Sequence, residues 1–494
     1  MKQTKGFVAA FLRKKSMDSL MQTANQSSLK KSLTTFDLTM LGIGAVIGAG
    51  IFVTTGTVSY TAGPALILSY VLAGLACIFS ALAYAEFAST VPVAGSAYTY
   101  TYFTLGEGWA WIIGWDLILE YLLAVSAIAS GWSGYFQSLF TNVNIQLPEA
   151  LSAAPGATPG AVFDVPAFCI VILLTFLLSI GIRESKMINN VMVLVKVAIV
   201  LLFVIVGALS IHSTKNWVPF MPHGMGGVFA AAGSAFFAYI GFDAIASASE
   251  ETKNPRKSMP RAIVLSIIIC TVLYVATTLV LTGLVKYTAF TGVNATHPIS
   301  LAIDATGHNW IAGFIDLGAI LGMTTVIMVF LFGLVRIMFS ISRDGLLPKV
   351  LSKTHPRFHT PFNATWFFGI LGGLIAGLVP LSTLTDLISI GTLVAFVIVS
   401  ISVIVLRRTK PDLKRGFRCP GVPVVPIIGI ITCAVLIVTR DSLNFIRFGV
   451  WFVIGIIIYF LYARKHSKLA TGHANGNTGS GESSEDAPSV SEEP

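Results

Sequence analysis

The chain is 494 residues long, 54% hydrophobic and only 11% charged, whereas ordinary soluble domains carry roughly 25% charge. That composition excludes a soluble enzyme or binding domain. A net charge of +9 would suit a nucleic-acid ligand, but no recognition module accompanies the basic clusters, so that partner is excluded too.

In chain order, residues 1–35 read as a basic cytoplasmic arm, with an interfacial helix expected around Phe7–Met21. They lack the short apolar core and cleavage site of a signal peptide. Apolar runs then follow at 36–61, 64–88, 105–139, 164–182, 188–211, 226–249, 260–285, 309–341, 362–380, 383–406, 422–440 and 445–463. Each suits a hydrocarbon core that roughly 20 residues of helix cross. The runs are continuously apolar rather than alternating, which excludes an outer-membrane barrel. The fold class is therefore all-α, a polytopic membrane protein with about twelve transmembrane helices. The tail at 469–494, rich in Gly, Ser and acid, reads as disordered.

Charge placement orients the chain. With a cytoplasmic N-terminus, Lys215, Lys286, Arg440 and Arg447 fall outside, and Lys196 and Arg336 lie within spans. The other 26 of the 32 Lys and Arg face the cytoplasm. This positive-inside pattern puts both termini in the cytoplasm of a cell membrane. The five cysteines are scattered without metal or disulfide spacing, so no metal or cofactor is expected. Neither HExxH nor GxSxG occurs, and no enzyme activity is expected.

Two spans carry weak points. The first contains Gly42, Gly44, Gly48 and Gly50 in nine residues, each costing a helix roughly 1 kcal/mol relative to alanine. Such a string lets the backbone unwind and approach a ligand, or lets helices pack closely through the Gly44–Gly48 pair. The sixth span carries Gly233 and Gly241, with Asp243 just beyond. Interruptions at matching positions five spans apart point to a transporter built from inverted repeats. Helices 1–5 (36–211) would form one repeat and helices 6–10 (226–406) the other, with helices 11 and 12 (422–463) added.

Further marks are Glu86-Phe87, Pro92-Val93-Ala94-Gly95-Ser96-Ala97-Tyr98, Gly106-Glu107, Gly114-Trp115, Glu120-Tyr121, Glu250–Pro255 and Ser342–Gly345. Together with the glycine string they resemble the amino acid–polyamine–organocation superfamily, and within it the bacterial members of the cationic amino acid transporter group. The resemblance covers roughly residues 30–465. It implies a LeuT-like fold and amino acid transport.

An amino acid offers a carboxylate and an ammonium, and a broken helix offers partners for both. Amides near Gly48, Ala49 and Gly50 suit the carboxylate. Carbonyls near Ile43 and Val46, and near Phe236, Phe237 and Ile240, suit the ammonium. Phe236, Phe237 and Tyr239 would form a lid or wall, or simply pack. Glu120 pairs with a cationic substrate, transfers a proton or bonds within the bundle; Asp243 is equally open. Glu86, Asp116 and Asp316 read as structural pairs or gates, and Arg336 as a cytoplasmic anchor. Lys196, alone in helix 5, costs roughly 2.5–3.5 kcal/mol in lipid and so faces the protein interior. The resemblance implies that its amine replaces a coupling sodium ion and takes up and releases a proton; a permanently charged structural lysine is the alternative.

The expected function is amino acid uptake by proton symport. The range would include small neutral amino acids such as alanine, and cationic ones. A proton-independent amino acid or polyamine exchanger and a non-transporting nutrient receptor are the alternatives. The partners are the amino acid, the proton and the lipid bilayer. Whether a small membrane-protein subunit accompanies the chain is not legible.

Overall fold

The computed structural model describes residues 10–16, 32–90, 96–141, 146–181, 186–358 and 360–470. Among these residues all regular structure is helical, and β pairing is limited to two isolated bridges. Among the described residues eight helices are long and apolar enough to cross a membrane, and four shorter apolar helices accompany them. Helices suit such a chain because each satisfies its own backbone hydrogen bonds where no water can.

We number the elements as follows. α1 comes in three pieces, Thr35–Val46, Ala49–Phe52 and Thr54–Ala62. α2 is Leu66–Thr90, α3 Glu107–Thr141, α4 Val165–Ser179 and α5 Lys186–Leu209. α6 comprises Gly224–Ala235, a 3-10 turn Phe236–Tyr239 and a last piece Ala244–Ser247. α7 is Pro255–Leu284, α8 Asn309–Arg343, α9 Phe362–Leu378, α10 Leu381–Thr409, α11 Val424–Val438 and α12 Ser442–Ile458. A capping box starts α1: the Thr34 amide donates to Asp37 Oδ2 (2.9 Å) and the Asp37 amide to Thr34 Oγ1 (3.3 Å).

Two short helices, Ser96–Thr104 and Pro298–Asp304, fall outside the predicted runs, being too short and polar to register as spans. α7 starts at Pro255 rather than 260, because Pro255 is tolerated in the first turn. Of the expected Phe7–Met21 helix, only Ala10–Ser16 is described. That segment packs against the bundle, with Phe11 edge-on to Trp109 and Tyr459 and Lys15 Nζ 2.6 Å from Asp344 Oδ2. Residues 471–494 and the first four residues of the Pro92–Tyr98 motif lie outside the described residues.

Burial is inverted relative to a soluble protein. Leu194, Leu209, Val438 and Leu461 are exposed, whereas Glu86, Asp116, Glu120, Lys196, Asp243 and Asp316 are buried. The apolar exterior suits lipid, and the interior carries the polar groups. α3 is central, with 94% of its most apolar window buried, against 11% for the helix over Ser442–His466.

The packing repeats itself across the two halves. α2 packs on α7, α3 on α8 and α4 on α9, and the pieces of α1 touch those of α6. The cross-contacts also come in matched pairs: α1 on α7 with α6 on α2, and α5 on α8 with α10 on α3. The described residues form a polytopic all-α bundle whose two broken helices meet at its middle.

Candidate functional site

α1 breaks at Ile47 and Gly48. Ile47 leaves the helix at φ −77, ψ 96, and Gly48 takes φ −157, ψ −131 before the chain turns helical again at Ala49. α6 loosens into the 3-10 turn and leaves it at Ile240, followed by Gly241 at φ +117. That left-handed region is open to glycine and costly for other residues. The two breaks cross: a Cβ on Gly241 would meet the Ala45 carbonyl at 3.0 Å, and one on Gly50 would stand 2.5 Å from Ala238 Cα.

The glycine string therefore serves two purposes. Gly42 is closed off by Ile245 and Ser266, Gly44 by Val193 and Gly50 by the Ala238 backbone, so these three are close-packing positions. Gly48 differs: the atoms nearest to a Cβ there all belong to the Val326 side chain, the first at 3.0 Å.

A small cavity opens at this crossing. α1 lines it with Ala45, Val46, Gly48, Ala49 and Gly50, α6 with Phe237 and Ile240, α3 with Ile128, and α8 with Val326 and Phe330. It offers about 10 Å³ to water centres, roughly the room one water needs. A larger cavity, about 410 Å³, lies at the far end of α3 around Phe136, Gln137 and Phe140, away from both breaks.

The 3-10 turn sorts its own residues. With three residues per turn, positions i and i+3 share a face. Phe237 and Ile240 accordingly face the cavity. Phe236 packs edge-on to Phe396, with ring centroids 5.6 Å apart, and Tyr239 lies behind the break with Tyr70 and Tyr274. Of the predicted contact residues, Val46, Gly48, Ala49, Gly50, Phe237 and Ile240 line the cavity; Ile43, Phe236, Tyr239 and Glu120 do not.

Carbonyls at and beside the breaks are met by tyrosine hydroxyls, of which sequence reasoning missed Tyr70 and Tyr274. The Tyr274 hydroxyl lies 2.9 Å from the Val46 carbonyl and 2.6 Å from the Ala238 carbonyl, so one α7 side chain ties both breaks. The Tyr70 hydroxyl donates to the Gly50 carbonyl (3.1 Å), and the Tyr239 hydroxyl to the Tyr70 carbonyl (2.8 Å). Unsatisfied buried carbonyls cost about 1–3 kcal/mol each. Tyr274→Phe is therefore expected to weaken substrate binding about tenfold or more while the protein still folds, as read by ligand-induced thermal shifts.

Lys196 is 1% exposed and donates from Nζ to the Gly44 carbonyl at 3.0 Å, one turn before the α1 break. Its methylenes lie along Gly322 of α8, where a Cβ would meet Cε at 3.2 Å. The side chain thus joins α1, α5 and α8.

Glu120 sits eight residues from Ile128 along α3, a distance of about 12 Å. It neighbours Asp116, Asp243 and the Tyr84 ring in one buried acidic group. Tyr121 donates to Asp243 Oδ2 at 3.0 Å. Among the described residues the carboxylate oxygens of Asp116 and Glu120 meet no donor in hydrogen-bonding geometry, and the neighbouring Thr392 hydroxyl donates to the Ile388 carbonyl instead. Glu86 is a paired group: Arg407 grips it twice at 2.8 Å, Arg415 Nε lies 3.0 Å away, and the Cys419 amide donates at 2.8 Å. Asp316 accepts from Ser138 at 2.8 Å, and the Arg336 guanidinium stands 5.2 Å from the Phe332 ring centroid.

Comparisons with known proteins bear on this arrangement. The profile of a family described as amino acid permease matches residues 33–463. The chain is 56% identical over 463 residues to the branched-chain amino acid permease BcaP of Bacillus subtilis, covering 93% of this chain and 99% of that one. It is 50% identical to the methylthioribose transporter of the same organism, covering 94% and 100%. It is also 38% identical to the vacuolar cationic amino acid transporter 2 of Arabidopsis thaliana, covering 82% and 64%.

Proposed function

We propose that this chain, which belongs to the amino acid permease family, carries neutral aliphatic amino acids inward across the cell membrane by proton symport. It is a multi-pass membrane carrier of amino acids and not an enzyme.

The observation that carries the substrate reading is the cavity at the crossing of the two breaks. Its backbone half, at Gly48, Ala49 and Gly50, suits the carboxylate common to all amino acids. Its side-chain half, Ile128, Phe237, Ile240, Val326 and Phe330, presents apolar surface, which favours an aliphatic side chain. A sugar-like substrate, as the methylthioribose transporter's name describes, would bring hydroxyls to a wall with no side-chain donor. A cationic side chain would have to reach Glu120, about two helical turns away.

The matched contacts between α1–α5 and α6–α10 support the two-repeat reading, with α11 and α12 added and both termini in the cytoplasm. We read that arrangement as a LeuT-like fold, with the eight long and four shorter apolar helices as its twelve spans. The cavity as built holds about one water, so its walls part to admit substrate and close again to carry it. Lys196 is the coupling residue: its amine binds the Gly44 carbonyl beside the break, where a charge change acts directly on the site.

Thermal-shift titration of the purified protein tests the substrate class. Leucine and isoleucine are expected to stabilise it more than alanine, and arginine and methylthioribose to have little effect. Stabilisation by methylthioribose or arginine alone would overturn the aliphatic assignment.

A further inference from the structure

Arg440 lies in the turn between α11 and α12, on the side that the charge pattern assigns to the outside. It is nonetheless buried, with its side chain 4% exposed. Its guanidinium reaches across two other helices. Nη1 donates to Ser234 Oγ of α6 at 2.6 Å and to Asp386 Oδ1 of α10 at 2.9 Å, and Nη2 donates to the Ala230 carbonyl of α6. Ser234 Oγ donates to the same Asp386 oxygen at 3.1 Å, and Asn444 of α12 holds the other at 3.1 Å.

The slot beneath the guanidinium is made by a missing side chain. A Cβ on Gly233 would stand 2.7 Å from the guanidinium carbon and 2.8 Å from Nε. Gly233 therefore lets a planar cation lie flat on the α6 backbone. Ser234 comes three residues before Phe237, which walls the substrate cavity, so any movement of this part of α6 carries the cavity wall with it.

A buried ion pair is a poor source of stability, because desolvating both charges offsets most of their attraction. What it supplies here is a specified distance between α6 and α10. The Asp386 side chain is 22% exposed, so water can replace the guanidinium when the helices part. We propose that Arg440 is the latch of the outer gate, a positioning residue that holds the outer half of α6 against α10 and must let go before the site opens outward. This rests on the reading of the α1–α6 cavity as the substrate site.

The test is outside accessibility of the cavity. Ile128→Cys, in a protein with Cys169→Ser, places a thiol on the cavity wall, and its labelling by a membrane-impermeant maleimide is followed in intact cells. Arg440→Lys keeps the charge but loses the planar fork, and Gly233→Ala evicts the guanidinium from its slot. Each is expected to raise the labelling rate about tenfold by shifting the population towards the outward-open form. Unchanged rates in both variants overturn the latch, as does a rise seen only in inside-out vesicles. If either variant fails to reach the membrane, Asp386→Asn, which keeps the shape and removes the charge, must give the same rise. Leucine slowing the labelling of the parent Ile128→Cys protein tests the site separately. Its failure there removes the site reading, whereas equal rates in parent and variants remove the latch alone.

Discussion

Lys196→Ala is expected to abolish uphill accumulation of leucine driven by a pH gradient while leaving exchange at equal concentrations measurable. The amine holds the Gly44 carbonyl at 3.0 Å, just before α1 unwinds at Ile47. A charged donor holds a carbonyl roughly twice as strongly as a neutral one. Losing the proton therefore loosens the first piece of α1 from α5 and α8, and a carrier that alternates between two states is biased by such a change. One pH unit is worth about 1.4 kcal/mol, or about tenfold in concentration for one proton per substrate. Proteoliposomes with an imposed gradient and no sodium measure that ratio directly. Lys196→Arg separates charge from proton exchange, because a guanidinium stays protonated throughout this range. It is expected to fail like alanine. Accumulation by Lys196→Arg would make the residue a structural cation.

The second large effect separates two glycines that look alike in sequence. Gly50→Val is expected to fail at folding, because its first carbon would stand 2.5 Å from the Ala238 backbone, which cannot move without taking α6 with it. Overpacking of this kind costs about 1–3 kcal/mol or more. Gly48→Val first meets the Val326 side chain, which can turn, so the protein is expected to fold and to lose leucine binding as the new side chain fills the cavity. Expression with size-exclusion profiles reads the first outcome, and leucine-induced thermal shifts read the second. Gly48→Val with Val326→Ala is expected to recover part of the binding. Full binding by Gly48→Val alone would show that the cavity at the break is not where substrate sits.

These cases show where the sequence was legible. The breaks in α1 and α6 stand out because glycines and a following carboxylate interrupt otherwise apolar runs. Lys196 stands out because a lone charge within a span is costly. The tyrosines Tyr70 and Tyr274 were invisible, since a tyrosine in an apolar helix reads as packing until its hydroxyl is seen against a carbonyl of another helix. Ile128, Val326 and Phe330 carry no local mark at all, and only the crossing of four helices makes them neighbours. Phe236 and Tyr239 part from Phe237 and Ile240 because the turn is 3-10, a period that composition does not reveal. The glycine string could not be divided into packing and site positions without knowing what faces each one.

The central claim is that a backbone cradle at the α1 and α6 breaks holds a zwitterionic aliphatic amino acid during transport. Competition against labelled leucine uptake in proteoliposomes tests it most directly, using unlabelled leucine, leucine methyl ester and the corresponding amine without a carboxylate. Leucine is expected to block uptake fully, and both carboxylate-modified compounds to compete at least about a hundredfold more weakly, as losing a charge-assisted set of hydrogen bonds requires. Equal competition by the methyl ester would contradict the cradle.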